Sequence, residues 1–287
     1  MGKAAADAEP VSTNGAGTSL AVRPQSRADR ARNVAYRSRF AAFYVLLAVI
    51  AGAGVGTLLV LVGRGSPAPA PAWSAFEPTG SIDRRAAQIG DHVGGLYRLP
   101  SGNTMITVTN AGPPTIANPQ DRSPLAIRSL AVGRETARGA EDFDVYRSDE
   151  TVMYNLCGRG PACVIPEGEE SAERTQLLRR QALELALYSF KYLDGIDNVL
   201  VLLPTPAGVD PEQTPATGVF LERGEVQSAL DRPLRETLTA ELTPGVGEIS
   251  AEEGSTIDRL TRTRVFQVGQ TQQQDGSLIM LLIPAPS

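Results

Sequence analysis

The sequence predicts an α+β protein: a single N-terminal transmembrane helix followed by an extracytoplasmic α+β domain with a mixed or antiparallel sheet. Three observations carry this. Residues 40–63 are an uncharged run of 24 between Arg39 and Arg64. The amphipathic stretch 171–194 leads directly into the apolar run 198–203. Short segments rich in Val, Ile, Thr and Tyr lie between Gly- and Pro-marked turns, as strands do.

At about 1.5 Å per residue the uncharged run reaches ~36 Å as a helix, against ~30 Å for the hydrocarbon core of a bilayer. Lys3, Arg23, Arg27, Arg30, Arg32, Arg37 and Arg39 precede it, against Asp7, Glu9 and Asp29. Beyond Arg64 the acids prevail, 29 to 19. Basic residues resist translocation, so the first segment is expected in the cytoplasm and the C-terminal domain outside. A cleaved signal peptide has a shorter apolar region, and the only small-residue cleavage motif, Ala68–Ala70, contains Pro69 and precedes Pro71. A retained signal-anchor follows. Ala48, Gly52 and Gly56 recur every four residues on one helix face, where small residues let a second helix approach, so a homodimer through the span is an expectation.

Residues 1–35 have almost no large apolar side chains and are expected to be a disordered basic arm. Residues 64–74 contain alternating Pro and Ala, an extended spacer of about 3.1 Å per residue. The outer domain is placed at 75–287, and the Gly- and Pro-marked stretch 204–217 is where lobes 75–204 and 217–287 would divide.

Within that domain Ile82, Ala86, Ile89 and Val93 are at helical spacing. Residues 97–109 read as a hairpin turning at 100–103, and 111–124 as a loop. Strands are expected at 125–132, 143–147, 151–156, 198–203, 218–222, 264–268 and 277–283. The longest helix, 171–194, has Glu173 near its start and Lys191 near its end, matching the helix dipole, and Gly195 to stop it. Helical turns are expected at 226–230 and 234–242, and Ser255 with Asp258 marks a further helix start. Trp73, Tyr97, Tyr146, Tyr154, Tyr188 and Phe190 are expected in the core.

Cys157 and Cys163 flank Gly158, Gly160 and Pro161, which gives a small loop closed by a disulfide in an oxidising compartment. Closing it contributes about 2 kcal/mol by chain entropy. A redox-active pair would be spaced C-x-x-C.

Little chemistry is visible. His92 is the only histidine, and it lies beside Asp91 on a predicted helix surface. With the cysteines bridged, the chain lacks the ligands of a structural zinc site. Glu141–Asp144 lacks the spacing of a calcium loop. The acidic outer domain argues against a nucleic-acid partner. The Arg-rich flank suits anionic lipid heads. Arg outnumbers Lys 25 to 2, as GC-rich bacterial coding produces. No catalytic, cofactor-binding or metal-ligating residue is assigned.

The acidic start, long helix, Gly195–Val199 and apolar strand together resemble the end of the GerM-type domain of bacterial envelope lipoproteins. The resemblance covers residues 169–203, and residues 204–287 follow beyond it. It implies a non-enzymatic envelope module. The expectation is a single-pass envelope protein whose outer domain binds or scaffolds another envelope protein or a cell-wall component. Two alternatives stand beside it: a carboxylate-dependent cell-wall hydrolase with two acids about 5–10 Å apart, and a signalling protein with a cytoplasmic docking arm.

Overall fold

A computed structural model describes residues 40–54, 72–118, 121, 123–134, 142–209, 214–239 and 243–286. The chain forms two compact units, Met1–Pro69 and Ala70–Ser287. In the first, residues 40–54 are a helix, α1. Its apolar side chains, including Phe43, Tyr44, Val45, Leu46, Val49 and Ile50, are exposed on every side. Among the described residues no helix is long and apolar enough to cross a membrane. The remainder of the uncharged run, 55–63, lies outside the described residues, as do the arm and most of the spacer.

The second unit contains α2 (Ile82–Leu96), β1 (Thr107–Gly112), β2 (Thr115–Ala117), β3 (Pro124–Arg134), β4 (Asp142–Arg147), β5 (Thr151–Cys157), α3 (Ala172–Tyr192), β6 (Asn198–Leu202), β7 (Ala216–Glu222), α4 (Gln227–Leu230), α5 (Ala251–Thr261), β8 (Val265–Gln272) and β9 (Leu278–Pro284). The sheet runs β1-β5-β6-β7-β8-β9-β3-β2, with β4 also on β3. It is mixed: β5 is parallel to β6 and β3 to β9, and the other pairs are antiparallel.

β1 and β2 stand at opposite ends of that order, yet only Pro113 and Pro114 separate them in the chain. Such a link spans at most about 11 Å. The sheet must therefore roll until its ends meet, and Pro114 O accepts from Ile127 N of β3 at the join.

Rolling gives the sheet two buried faces. Val152, Tyr154 and Leu156 of β5, Val199 and Val201 of β6, and Val219 and Leu221 of β7 face a core shared with α2, α3 and α5. The alternate residues Met153, Leu200 and Phe220 join Ile127, Leu130, Val132, Phe266, Met280 and Leu282 in a separate inner core. Burial on both sides is why 198–203 reads as one apolar run.

The helices are fixed at their ends. Ser81 and Ser171 cap α2 and α3 through their hydroxyls, which accept from Arg84 N and Arg174 N. Past the end of α3, Gly195 adopts φ +74°, which suits glycine. Two arginines also close this end: Arg223 donates to the carbonyls of Phe190 and Ile196, and Arg85 to that of Tyr192. Gly90 and Gly94 of α2 admit Val108 of β1, which a Cβ at Gly90 would meet at 3.0 Å.

Several expectations need correction. The 97–109 hairpin reduces to one bridge, Arg98 to Thr104, because the strand starts at Thr107 and pairs with β5. The expected loop at 111–124 holds the end of β1 and all of β2. Ser255 starts nothing: α5 begins at Ala251, where Ser250 has extended φ/ψ and accepts from Glu253 N. Within 234–242 the described helical turn is Leu234–Glu236 only. Ile82 is exposed, whereas Ala86, Ile89 and Val93 are buried.

Candidate functional site

One end of the roll is open. Where β5 and β6 finish and β7 begins there is a cavity of about 720 Å³. Its floor is aliphatic and thioether: Met153 and Met280 belong to the inner core, and Ile116, Leu202 and Val268 pack against it. Its rim is polar and uncharged: Thr109, Asn110, Thr115, Asn155 and Gln270. Asn110 and Asn155 are direct partners across β1 and β5. A bulge at Thr109 creates that register, and the Thr109 hydroxyl donates to the Asn155 carbonyl at 3.4 Å. Among the described residues the carboxamides of Asn110, Asn155 and Gln270 have no hydrogen-bond partner, so all three are available to a ligand.

The opposite end is closed by charge. Arg134 of β3 pairs with Asp144 of β4, and Arg264 pairs with Glu225 just past β7. Burial and a hydrogen bond with Glu222 push the Tyr146 hydroxyl up to about 12. Burial also raises Glu225, with Arg264 opposing.

A second cavity, about 390 Å³, lies between Gly90, Gly94 and Gly95 of α2 and residues 104–108. Asp91 and Arg159 are its charged members, and Arg159 comes from the disulfide loop.

A third polar feature is buried and lines neither cavity. Arg180 Nε donates to Glu253 at 2.7 Å, and Arg180 Nη1 contacts Glu184 at 3.2 Å and the Tyr97 hydroxyl at 2.5 Å. Tyr97 itself donates to Glu184 at 2.6 Å. One guanidinium thus faces two carboxylates. Burial drives Glu184 above its ordinary range despite Arg180, and burial together with Glu184 raises Tyr97.

The assigned residues are distributed as follows. Cys157 and Cys163 form a disulfide with Cα atoms 4.4 Å apart. Ala48 and Gly52 lie on α1; Gly56 and Arg27, Arg30, Arg32, Arg37 and Arg39 lie outside the described residues. His92 stacks on Phe76, ring centroids 3.9 Å apart, and both rings pack against Tyr188, with burial lowering its pKa. This cluster also holds Trp73 against Tyr188 and Tyr192, anchoring the entry of the folded unit. Asp144, from the acidic run Glu141–Asp144, lies on β4 and pairs with Arg134. Among the described residues no three His, Cys, Asp or Glu side chains are grouped to hold a metal. Sequence reasoning missed the cup residues. The one available signal is Asn155, a lone amide inside an otherwise apolar strand.

No family model, no curated protein and no solved structure matches the chain.

Proposed function

We propose that this chain is a single-pass, membrane-tethered envelope protein whose outer domain binds an uncharged small molecule in the open end of its rolled sheet. The observation that carries the reading is the cup itself: a ligand-sized cavity with an apolar floor and three unpartnered carboxamides at its rim. None of its lining residues ionises near neutral pH, so it offers binding groups and no acid–base pair. The cell-wall hydrolase is the weaker reading, because two carboxylates converge in neither cavity. The tether is supported by the apolar surface of α1, the uncharged run that continues from it and the basic flank before it. A disulfide suits an oxidising outer compartment. Dimerisation through Ala48, Gly52 and Gly56 belongs to the same proposal.

The test is chemical. The full chain is purified from envelopes, and organic extracts of wild type and Asn155→Trp, which fills the cup, are compared by mass spectrometry. A compound near one equivalent in wild type and absent from a folded variant is expected. Identical extracts would overturn the cup as a ligand site. For the tether, a reporter active only outside the cytoplasm, fused after Ser287, should be active; a silent fusion overturns the orientation.

A further inference from the structure

We infer that the cup takes a lipid-like molecule with one aliphatic chain and an uncharged ester, amide or hydroxyl head. The inference rests on the cup being a ligand site and adds the ligand's class. Its first support is electrostatic. None of the lining residues carries a charge: Arg134–Asp144 and Arg264–Glu225 are paired at the other end, and Arg128 at the open end is paired with Asp275 of the β8–β9 turn, outside the lining. An ionised head would be desolvated with no counter-charge, which is costly.

The second support is the floor. Met153 and Met280 are flexible thioethers that repack around a chain, and Ile116, Leu202 and Val268 extend the apolar surface. No aromatic ring lines the cup, so a sugar ring would have no face to stack on. Third, the polar groups sit above this floor and not within it. Asn110 and Asn155, side by side, present carbonyl acceptors and amide donors together, matching an ester, amide or hydroxyl head. Floor and rim thus divide the ligand into a chain and a neutral head.

The four methionines supply the probe. Met153 and Met280 line the cup, while Met105 is fully buried in the helix-side core and serves as the internal control. Full chain labelled with [¹³C]methyl-methionine, held in phosphatidylcholine nanodiscs, is titrated with 1-decanoylglycerol, decanoate, cellobiose or an uncharged tetrapeptide amide. The methyl signals are assigned with Met153→Leu and Met280→Leu. With 1-decanoylglycerol, saturable shifts of the Met153 and Met280 methyls are expected, with Met105 unmoved and the shifts lost in Asn155→Trp. Decanoate at pH 8 should bind at least about tenfold more weakly, because its charge is unpaired in the cup. Equal affinity for ester and acid overturns the neutral-head assignment. Concurrent movement of Met105 overturns specific binding. Shifts with cellobiose or the peptide amide but not the ester overturn the ligand class and leave the cup standing. Silence of both methyls to every probe, with matching envelope extracts, overturns both.

Discussion

Replacing Arg180 with Met removes the only cation from a cluster that burial has closed off. Arg180 is 3 % exposed, Glu253 2 %, Glu184 6 % and Tyr97 0 %. In the wild type the guanidinium serves Glu253, Glu184 and Tyr97 together. After substitution two carboxylates remain in the core without a counter-charge. Removing one partner of a buried pair costs about 3–5 kcal/mol. For a domain of roughly 150–250 residues each kcal/mol moves Tm by about 2–4 °C, so a fall of about 6–20 °C is expected. Thermal unfolding followed by circular dichroism measures it. Arg180→Met combined with Glu184→Gln and Glu253→Gln should recover more than half of the loss, because the stranded charges are then gone. pH provides a second axis. Glu184 has a folded pKa raised by burial, so its contribution is complete below its unfolded value near 4.5 and is lost as pH rises through the folded value. Without Arg180, which opposes that rise, the shift grows, and the variant's deficit should shrink between pH 7 and pH 5. A fall in Tm under about 3 °C, or a deficit independent of pH, would refute the reasoning.

Arg223→Ala should cost about 2–3 kcal/mol, because it strips hydrogen bonds from the carbonyls of Phe190 and Ile196 at the C-terminal end of α3. Arg223→Lys should recover less than half of this, since an ammonium cannot fork between the two. The midpoint of urea unfolding, with the slope unchanged, reads both variants. His92, whose pKa burial lowers, contributes stability that is full above its unfolded value of 6.5 and is lost as pH falls toward its folded value. His92→Phe keeps a ring against Phe76 and should flatten the dependence of Tm on pH below 6.5; an unchanged slope rejects this account.

Local rules made much of the fold legible. Ser171, the apolar stripe through Leu178, Ala182 and Leu185, and Gly195 define α3 without reference to anything distant. The disulfide follows from two cysteines around a glycine-rich turn. Competition between local signals is where reading failed. Ser250 with Glu253 and Ser255 with Asp258 both satisfy a capping pattern. The choice between them was made by the extended backbone at Ser250, which a pattern does not report. Prolines 113 and 114 were read as loop because they break ladders. Here they form the joint between the first and last strands of the roll, and a three-residue strand follows immediately.

The cup was illegible for a different reason: it is a product of register. Asn110 and Asn155 are 45 positions apart and meet because the bulge at Thr109 shifts β1 by one residue. Without that shift the residue opposite Asn155 would be Thr109, and Asn110 would point to the helix side. The neutrality of the cup is also non-local. Glu222 and Ala216 are the two ends of one seven-residue strand, yet the first lies at the charged, closed end and the second lines the open one. The same holds on β3, where Arg134 and Pro124 divide between the two ends. Whether a residue lines the cup is thus set by its position and face along a strand, as Arg128 on β3, outside the lining, also shows, so composition read by segment averages it away. Rolling the sheet aligns these positions. The result is a barrel-like body closed by ion pairs at one end, filled by Leu200, Phe220 and Phe266 in the middle, and lined by uncharged residues at the mouth, where Arg128 and Asp275 pair outside the lining. A cavity built in this way discriminates first by net charge and then by the fit of an apolar chain, which is the order in which its ligand should be sought.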